Sequence, residues 1–473
     1  MNVKNKRLMM LAGLAALSGS AHAFDVLRAE QTIPTTAAGP IVTACEFAQA
    51  PGRPLRLEEA VERTLCHNPK TREAWATVKA QAAGVGVARA AYLPTLSANW
   101  QGVREDSVMN IEDHPALSSD INANVRSASV SMNWLLFDFG GREAALKNAN
   151  ALFDAARATQ DATLQRFFAS AARDYYASQT AMGQLKAAQD VESMTRQSML
   201  AAQARADKGV APITDALQAQ TQHEQALFSL TKAQSDAQTA LGTLASDMNL
   251  SPDVPLDVPP VAEDARTDPR FSESVAQMIR DVEEAHPSVR AARAQYDAAV
   301  AKISQTRAQG LPSISLVAKY SQNNQPQSLG LGLATYPSTG HDAYIGVQVS
   351  IPLFEGFGRH YQVNQARAQA ERQEDLLDDA KRQVALDVWT SYQTLTGATK
   401  NAENSANLLA IATRTYDAAS HRYEAGVGNI LELINTQTAL ANAKQRRIQA
   451  LADWDYARVD LASKLGALGK GDF

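Results

Sequence analysis

Residues 129–142 read SVSMNWLLFDFGGR, and residues 346–359 read GVQVSIPLFEGFGR. In both stretches apolar residues alternate with small or polar ones, and the alternation ends at Leu-Phe and an acidic residue, followed by glycine and arginine. A period of two is typical of a β-strand whose faces meet different surroundings. Beyond the arginine, apolar residues recur every three or four positions, as they do along a helix. The chain therefore predicts, at two places, a strand that leads into a helix.

The two stretches belong to a tandem duplication. Gly141 and Gly358 are 217 residues apart. Other matched positions are Pro69 with Pro287, Leu93-Pro94 with Leu311-Pro312, Tyr175 with Tyr392, Arg205 with Arg422, and Gly209-Val210 with Gly426-Val427. Such repeats indicate a repeated structural unit. We expect one copy over residues 57–250 and another over residues 274–466, joined by a proline-rich linker at 251–273.

Each copy is predicted to run helix, strand, strand, helix, helix. We expect helices over residues 57–91, 141–208 and 212–248 in the first copy, and over 274–310, 359–425 and 429–465 in the second. The two longest helices would each extend for roughly 100 Å. A helix of that length cannot fold back into one compact globule, so it must pack against partners along its length. The predicted fold class is mainly α with transmembrane β-strands.

The predicted strands carry one apolar and one polar face. The apolar positions are Val130, Met132, Trp134 and Leu136, then Ile314, Leu316, Ala318 and Tyr320, and finally Ile345, Val347, Val349 and Ile351. This alternation suits strands of about 9 to 11 residues between lipid and water in a membrane barrel, although a soluble sheet with one solvated face would give any single strand the same pattern. Residues 101–124 and 321–342 would be the connecting loops. Because lipid tolerates no open sheet edge, four strands need about two, three or four copies of the chain to close.

The N-terminus carries the pattern of an export signal. Basic residues precede the apolar run 8–17, and Ala-His-Ala follows at 21–23. This order is typical of a secretory signal peptide, which we predict over residues 1–23. Residues 24–56 would then form an N-terminal arm, and residues 467–473 a C-terminal tail.

Composition argues against several other functions. A net charge of −5 gives no basic footprint for nucleic acid. The eight histidines are scattered, and no metalloprotease, phosphate-loop or nucleophile-elbow motif is complete. We therefore expect no enzyme activity, no catalytic residue, no metal and no cofactor. The only cysteines, Cys45 and Cys66, form either a disulfide, which an oxidising compartment would permit, or two unpaired thiols.

In these features the chain resembles the TolC-like outer-membrane factors over nearly the whole mature sequence. The resemblance rests on the paired Leu-Pro junctions, the strand ends Leu136-Phe137-Asp138 and Leu353-Phe354-Glu355, and the tip segments Arg205-x-x-x-Gly209-Val210-x-x-x-Thr214-Asp215 and Arg422-Tyr423-x-x-Gly426-Val427-x-x-x-x-Glu432. It implies a homotrimer, with a 12-stranded β-barrel in outer-membrane lipid continuous with a long periplasmic α-helical barrel. Implied partners are a periplasmic adaptor (membrane fusion) protein and an inner-membrane ABC transporter or proton-driven pump.

The resemblance also implies a function. The duct would serve type I secretion of a protein toxin of the adenylate cyclase-haemolysin kind. Multidrug efflux is the alternative, and a soluble periplasmic coiled-coil adaptor is a third reading that the duplicated strands do not favour.

Family members close their periplasmic end at the helix tips, which implies a set of gate residues here. The implied gate and tip residues are Arg205, Thr214, Asp215, Arg422, Tyr423, Glu432 and Asn435, and the implied adaptor-docking loops contain Gly209, Val210, Gly426 and Val427. In the family a threonine and an aspartate of the first tip bond a tyrosine and an arginine of the second, and Thr214, Asp215 and Tyr423 fit these positions, so the resemblance implies a bond to Tyr423. Gly428 stands where the family has the bridging arginine, and Asn435 where it has a second ring of acids. The plainer alternative is that Thr214 and Asp215 are ordinary helix-start residues and Glu432 a solvated carboxylate.

Overall fold

The structure, a computed structural model, describes residues 25–31, 33–39, 42, 45, 47, 54–261, 274–324, 338–466 and 468. The predicted signal peptide lies outside the described residues. The helices are α1 (Leu57–His67), α2 (Pro69–Ala90), α3 (Gly141–Asp207), α4 (Ile213–Asp247), α5 (Val275–Ala285), α6 (Pro287–Ala308), α7 (Gly358–Glu424) and α8 (Ile430–Lys464). The strands are β1 (Thr95–Met109), β2 (Ser119–Phe137), β3 (Ser313–Asn323) and β4 (Gly340–Ser350). The chain is thus mainly helical with one antiparallel sheet.

The chain divides into two compact units. Of the described residues, the first unit comprises those within 25–33, 79–153, 296–324 and 338–372, and it contains the sheet. The second comprises the described residues within 34–78, 154–261, 274–295 and 373–468, and it contains most of the helical residues. Among the helices of the described ranges, none combines the length and the apolar character needed to cross a bilayer.

The long helices α3 and α7 begin and end within one residue of the predicted bounds, but the prediction of one continuous helix over residues 57–91 was wrong. Asn68 is extended, with φ −60° and ψ 129°, and divides α1 from α2. His286 divides α5 from α6 in the same way. Each precedes a proline, whose ring disfavours the helical conformation in the residue before it. In the first copy the Thr71 hydroxyl bridges the break by donating to the carbonyls of Leu65 and Asn68, at 2.8 Å each.

The sheet has the order β1-β2-β3-β4, so β1 and β4 are its edges. The predicted loops were too long, because β1 continues to Met109 and β2 already begins at Ser119. These strands have 15 and 19 residues, more than the predicted 9 to 11. Backbone hydrogen bonds between strands do not require alternating apolar and polar side chains. The polar ends of the hairpin are therefore paired even where this alternation is absent from the sequence. In the other hairpin, β3 ends at Asn323 and β4 begins at Gly340.

Cross-strand register places the apolar positions on one face of the sheet. One row of opposed residues is Leu96, Met132, Ala318 and Ile345, and another is Trp134, Leu316 and Val347. The other face has rows such as Ser97, Ser131, Lys319 and Tyr344, and Asn99, Ser129, Ser321 and Asp342. On that face the hydroxyls of Ser97 and Ser131 are 2.8 Å apart. The alternation read from single strands thus becomes one apolar and one polar surface four strands wide.

An arginine fixes the turn from strand to helix in the first copy. The Arg142 guanidinium donates to the carbonyl oxygens of Leu135 at 2.6 Å and Leu136 at 3.0 Å, and it lies over the Tyr92 ring. The Asp138 carboxylate accepts from the backbone N–H of Arg142 at 2.7 Å. In the second copy the matching Arg359 instead pairs with Glu355 at 3.1 Å. The arginine of the Gly-Arg pair therefore has a structural role at both strand-to-helix turns.

Candidate functional site

The turns that follow α3 and α7 have the same backbone geometry. Gly209 and Gly426 have φ of +69° and +78°, a conformation that glycine adopts without strain. In each turn the valine N–H donates to the carbonyl of the matched arginine at 3.0 Å, Val210 to Arg205 and Val427 to Arg422. Each glycine N–H donates to the carbonyl three residues earlier, Gly209 to Ala206 and Gly426 to Tyr423. Together the two bonds form the Schellman motif that ends a helix. Both valines are 72% exposed, so each tip loop presents an apolar side chain to solvent.

The second tip loop is the tighter of the two. The Gly428 N–H also donates to the Arg422 carbonyl, at 2.9 Å. A Cβ at this position would lie 2.7 Å from the Tyr423 nitrogen and 2.9 Å from the Arg422 carbonyl carbon. The family's arginine therefore cannot be accommodated here without a shift of the backbone, and Gly428 is required by the path of the loop.

We expect Gly428→Ala to destabilise the second tip by about 1–3 kcal/mol, because backbone atoms rather than a mobile side chain occupy the space of the new Cβ. The measurement is limited proteolysis of the purified protein, with cleavage near residue 428 read by mass spectrometry. Ala211 occupies the matching position of the first tip, so Ala211→Ser is the control and should leave the cleavage pattern unchanged. Equal proteolysis of both variants and the parent would contradict this account of the loop.

Tyr423 and Arg205 join the two tips. The Arg205 guanidinium carbon lies 4.7 Å from the centroid of the Tyr423 ring. Tyr423 is 6% exposed and belongs to an apolar cluster with Ala202, Ala219, Ile430 and Leu433. Sequence order separates these residues widely, yet the ends of α3 and α7 meet at this contact.

The other implied gate residues lie near the start of α4, the end of α7 and the start of α8. The Tyr423 hydroxyl is buried without a hydrogen-bond partner among the described residues, so the bond from Thr214 or Asp215 that the resemblance implies is not formed here. Thr214 is exposed and Asp215 half-buried in the first turn of α4. Glu432 pairs with Arg422 at 3.3 Å, within the second tip. With Arg422 58% and Glu432 40% exposed, this ion pair contributes little to stability, and Asn435 is exposed.

One side-chain contact between the copies and one local helix cap were not predicted from the sequence. The Gln437 side-chain amide donates to the Ser198 hydroxyl at 2.6 Å, and this pair joins α8 to α3. Asn429 caps α8 by accepting from the N–H groups of Leu431 and Glu432. This cap could have been predicted, because asparagine directly before a helix is a common N-cap residue. The contact between Gln437 and Ser198 has no sequence signal, because its partners are 239 residues apart.

A pair of carboxylates also lies in the helical unit. Burial, a hydrogen bond to Asp174 and the charge of Asp174 raise the pKa of Asp247 to about 7, and nearby Arg173 opposes the shift. One Asp247 oxygen is buried without a partner. The matching residues of the second copy are Ser391 and Lys464. The carboxylate pair is therefore specific to the first copy.

Elsewhere in the described residues, Cys45 and Cys66 form a disulfide, with Cα atoms 5.6 Å apart. Over the same residues no group of three histidine, cysteine, aspartate or glutamate side chains could hold a metal ion.

Comparison with known proteins places the chain in a family. The family model described as outer membrane efflux protein matches twice, at residues 60–249 and 278–467. The chain is 32% identical over 467 residues to Protein CyaE of Bordetella pertussis, covering 98% of this chain and 95% of that protein. It is 24% identical to Outer membrane protein TolC of Escherichia coli, covering 88% and 83%. The crystal structure of the outer membrane protein VceC from Vibrio cholerae has the same fold, with a TM-score of 0.73, 18% identity and coverage of 87% and 96%. The chain therefore belongs to the outer membrane efflux protein family.

Proposed function

We propose that three copies of this outer-membrane export duct close a barrel of 12 strands, four from each copy. The observation that carries the proposal is a sheet with one apolar face and two unpaired edges, β1 and β4. Lipid offers no hydrogen bonds to an open edge, so β1 of one copy would pair with β4 of the next. The helices would continue the duct through the periplasm.

The organisation of the chain along this duct is part of the same proposal. The chain would comprise a signal peptide (1–23), an arm (24–56), two copies of the repeated unit (57–250 and 274–466), a linker (251–273) and a tail (467–473). The two copies would supply equivalent parts of the wall, which is consistent with the matched tip geometry of Gly209-Val210 and Gly426-Val427.

The contact between Arg205 and Tyr423 is proposed as the latch of the periplasmic gate. It joins the end of α3 to the end of α7, so the two tips cannot separate without losing it. A cation–π contact contributes about 0.5–2 kcal/mol, a magnitude that docking of a partner can overcome. The pair of Arg422 and Glu432 lies within one tip and would hold that tip together as the gate moves. Symmetry would bring three copies of Glu432 into a ring that favours cations, and Thr214, Asp215 and Asn435 would line the same mouth.

The partners proposed for the duct are a periplasmic adaptor protein and an inner-membrane ABC transporter. The adaptor would dock on the tip loops, where Val210 and Val427 are each 72% exposed. Apolar side chains on rigid Schellman turns offer a small preformed contact surface.

Conductance in planar lipid bilayers tests the duct and the latch together. We expect discrete openings from the purified chain and longer or larger openings from Arg205→Ala, because the contact between the tips is lost. Arg196→Ala is the matched control, since this arginine lies on the same helix and pairs only loosely with Glu192, at 3.8 Å. Glu432→Ala should reduce cation selectivity. If Arg205→Ala behaves as Arg196→Ala does, the latch is wrong, whereas an absence of openings from any variant would contradict the duct.

The proposed cargo is a protein toxin exported by a type I system. Support comes from the match to Protein CyaE along nearly the whole of both chains. The test supplies this chain to cells that lack an outer-membrane channel but hold an ABC transporter, its adaptor and an adenylate cyclase-haemolysin toxin. Toxin in the medium supports secretion. Restored export of a fluorescent dye without toxin secretion would favour multidrug efflux instead.

A further inference from the structure

We propose that oxidation of Cys45 and Cys66 by a periplasmic dithiol oxidase is an obligatory maturation step, which must precede seating of the N-terminal arm on α3. The step uses the outer-membrane location of the chain, whose cysteines pass through an oxidising compartment. It does not depend on the proposed latch, oligomer or cargo.

The disulfide lies in a core where the arm meets α1 and α3. Cys66 is 6% exposed, and it shares its cluster with Leu65 of α1 and with Leu164 and Phe168 of α3. Ala38 and Val42 of the arm belong to the same cluster. The bond therefore joins the arm to the first helix inside the packed core.

Side-chain contacts and core packing also hold the described residues of this part of the arm. The described residues between 34 and 47 form no helix or strand. The Trp75 indole N–H donates to the Pro34 carbonyl at 3.0 Å, and the Gln160 side-chain amide donates to the Ala37 carbonyl at 3.1 Å. Phe47 packs edge-on against His67, 5.5 Å between ring centroids. Residues outside any helix or strand depend on a covalent tie more than a helix or strand would, because the bond limits the freedom of the unfolded chain.

Burial sets the order of events. While the arm is still unseated, the Cys45 thiolate attacks the disulfide of the oxidase and forms a mixed disulfide. The Cys66 thiolate then attacks the Cys45 sulfur and releases the oxidase as a dithiol. Two electrons and two protons pass from the cysteine pair to the oxidase in this exchange. In the seated arm Cys66 is 6% exposed and Cys45 is partly buried in the same cluster, so a protein oxidase cannot bring its own disulfide into line with either sulfur. The bond must therefore form before the arm is seated.

The test compares the full chain in cells with and without the periplasmic dithiol oxidase. Free thiols are counted with a maleimide-polyethylene glycol reagent after denaturation, and arm seating is read by protease cleavage between residues 34 and 56. The expected wild-type chain has no free thiols in oxidase-positive cells. In oxidase-negative cells it should have two, with cleavage of the arm increased at least about tenfold and reversed by added cystine.

Two double variants separate the bond from the side chains. Cys45→Ser with Cys66→Ser, and Cys45→Ala with Cys66→Ala, should both show the increased cleavage in either strain, and cystine should not reverse it. The alanine pair keeps the core apolar, so its cleavage cannot be attributed to a buried hydroxyl. Wild-type-like protection of the alanine pair would overturn the proposal, and so would a wild-type chain with free thiols in oxidase-positive cells.

Discussion

Replacing Val347 with lysine is expected to eliminate the membrane-inserted form of the protein. Val347 is 64% exposed on the apolar face of β4, opposite Leu316. A lysine near the bilayer midplane costs about 2–4 kcal/mol in a membrane barrel, and three copies would each carry that cost. The measurement is the amount of heat-resistant oligomer in outer-membrane fractions, compared by gel electrophoresis.

The adjacent residue provides the control for this substitution. Gln348 lies on the polar face, opposite Ser315, so Gln348→Lys should assemble as the parent does. Both variants add the same charge to the same strand, and only the face differs. Equal assembly of the two variants would mean that the apolar face does not meet lipid.

The second large effect concerns Asp247 and pH. Its pKa is raised from 3.8 to about 7 in the folded chain, so between these values the folded state holds a proton that the unfolded state has released. Stability should therefore fall as pH rises through this window and level off above it. Because Asp247 is only about half buried, solvent screening limits the loss to at most about 2 kcal/mol.

Asp247→Asn removes the titration and should reduce this dependence on pH. We expect the variant to unfold at a higher temperature than the parent at pH 8 and at a similar temperature at pH 4, as followed by the helical circular dichroism signal. Asp236→Asn is the control, because Asp236 lies on the same helix, is exposed and pairs with Lys232. A variant that gains no stability at pH 8 relative to pH 4 would contradict the raised pKa of Asp247.

Local signals explain which parts of the fold the sequence could predict. The long helices were predicted to within one residue, because Gly141 and Gly358 open them and Gly209 and Gly426 follow their ends. The breaks at Asn68 and His286 could also have been predicted, since each residue precedes a proline. The length of the first hairpin could not, because pairing of Met109 with Ser119 rests on backbone hydrogen bonds that leave no pattern in polar side chains.

At the two tips, the sequence predicted individual residues but not the contacts between them. Residue matches identified Arg205 and Tyr423 separately, but no spacing rule predicts that the guanidinium lies over the ring. The resemblance implied a bond from Thr214 or Asp215 to Tyr423, and the apolar packing of Tyr423 leaves its hydroxyl without a partner instead. The sequence suggested that Gly428 replaces the arginine found in the family. In the structure, a Cβ at this position would clash with the backbone of Tyr423. Each difference arises from tertiary packing between segments far apart in the chain.

Cross-linking of the two sheet edges tests the central claim, closure of one barrel by three copies. Asn99→Cys on β1 is combined with Gln348→Cys on β4, both on the polar face, and neighbouring polar-face pairs are tested in parallel. Oxidation in intact outer membranes should produce covalent dimers and trimers on a denaturing gel, and neither edge cysteine alone should produce trimers. A ladder that ends at trimers is the predicted result. Cross-linked species that end at dimers or continue to four or more copies would contradict the account.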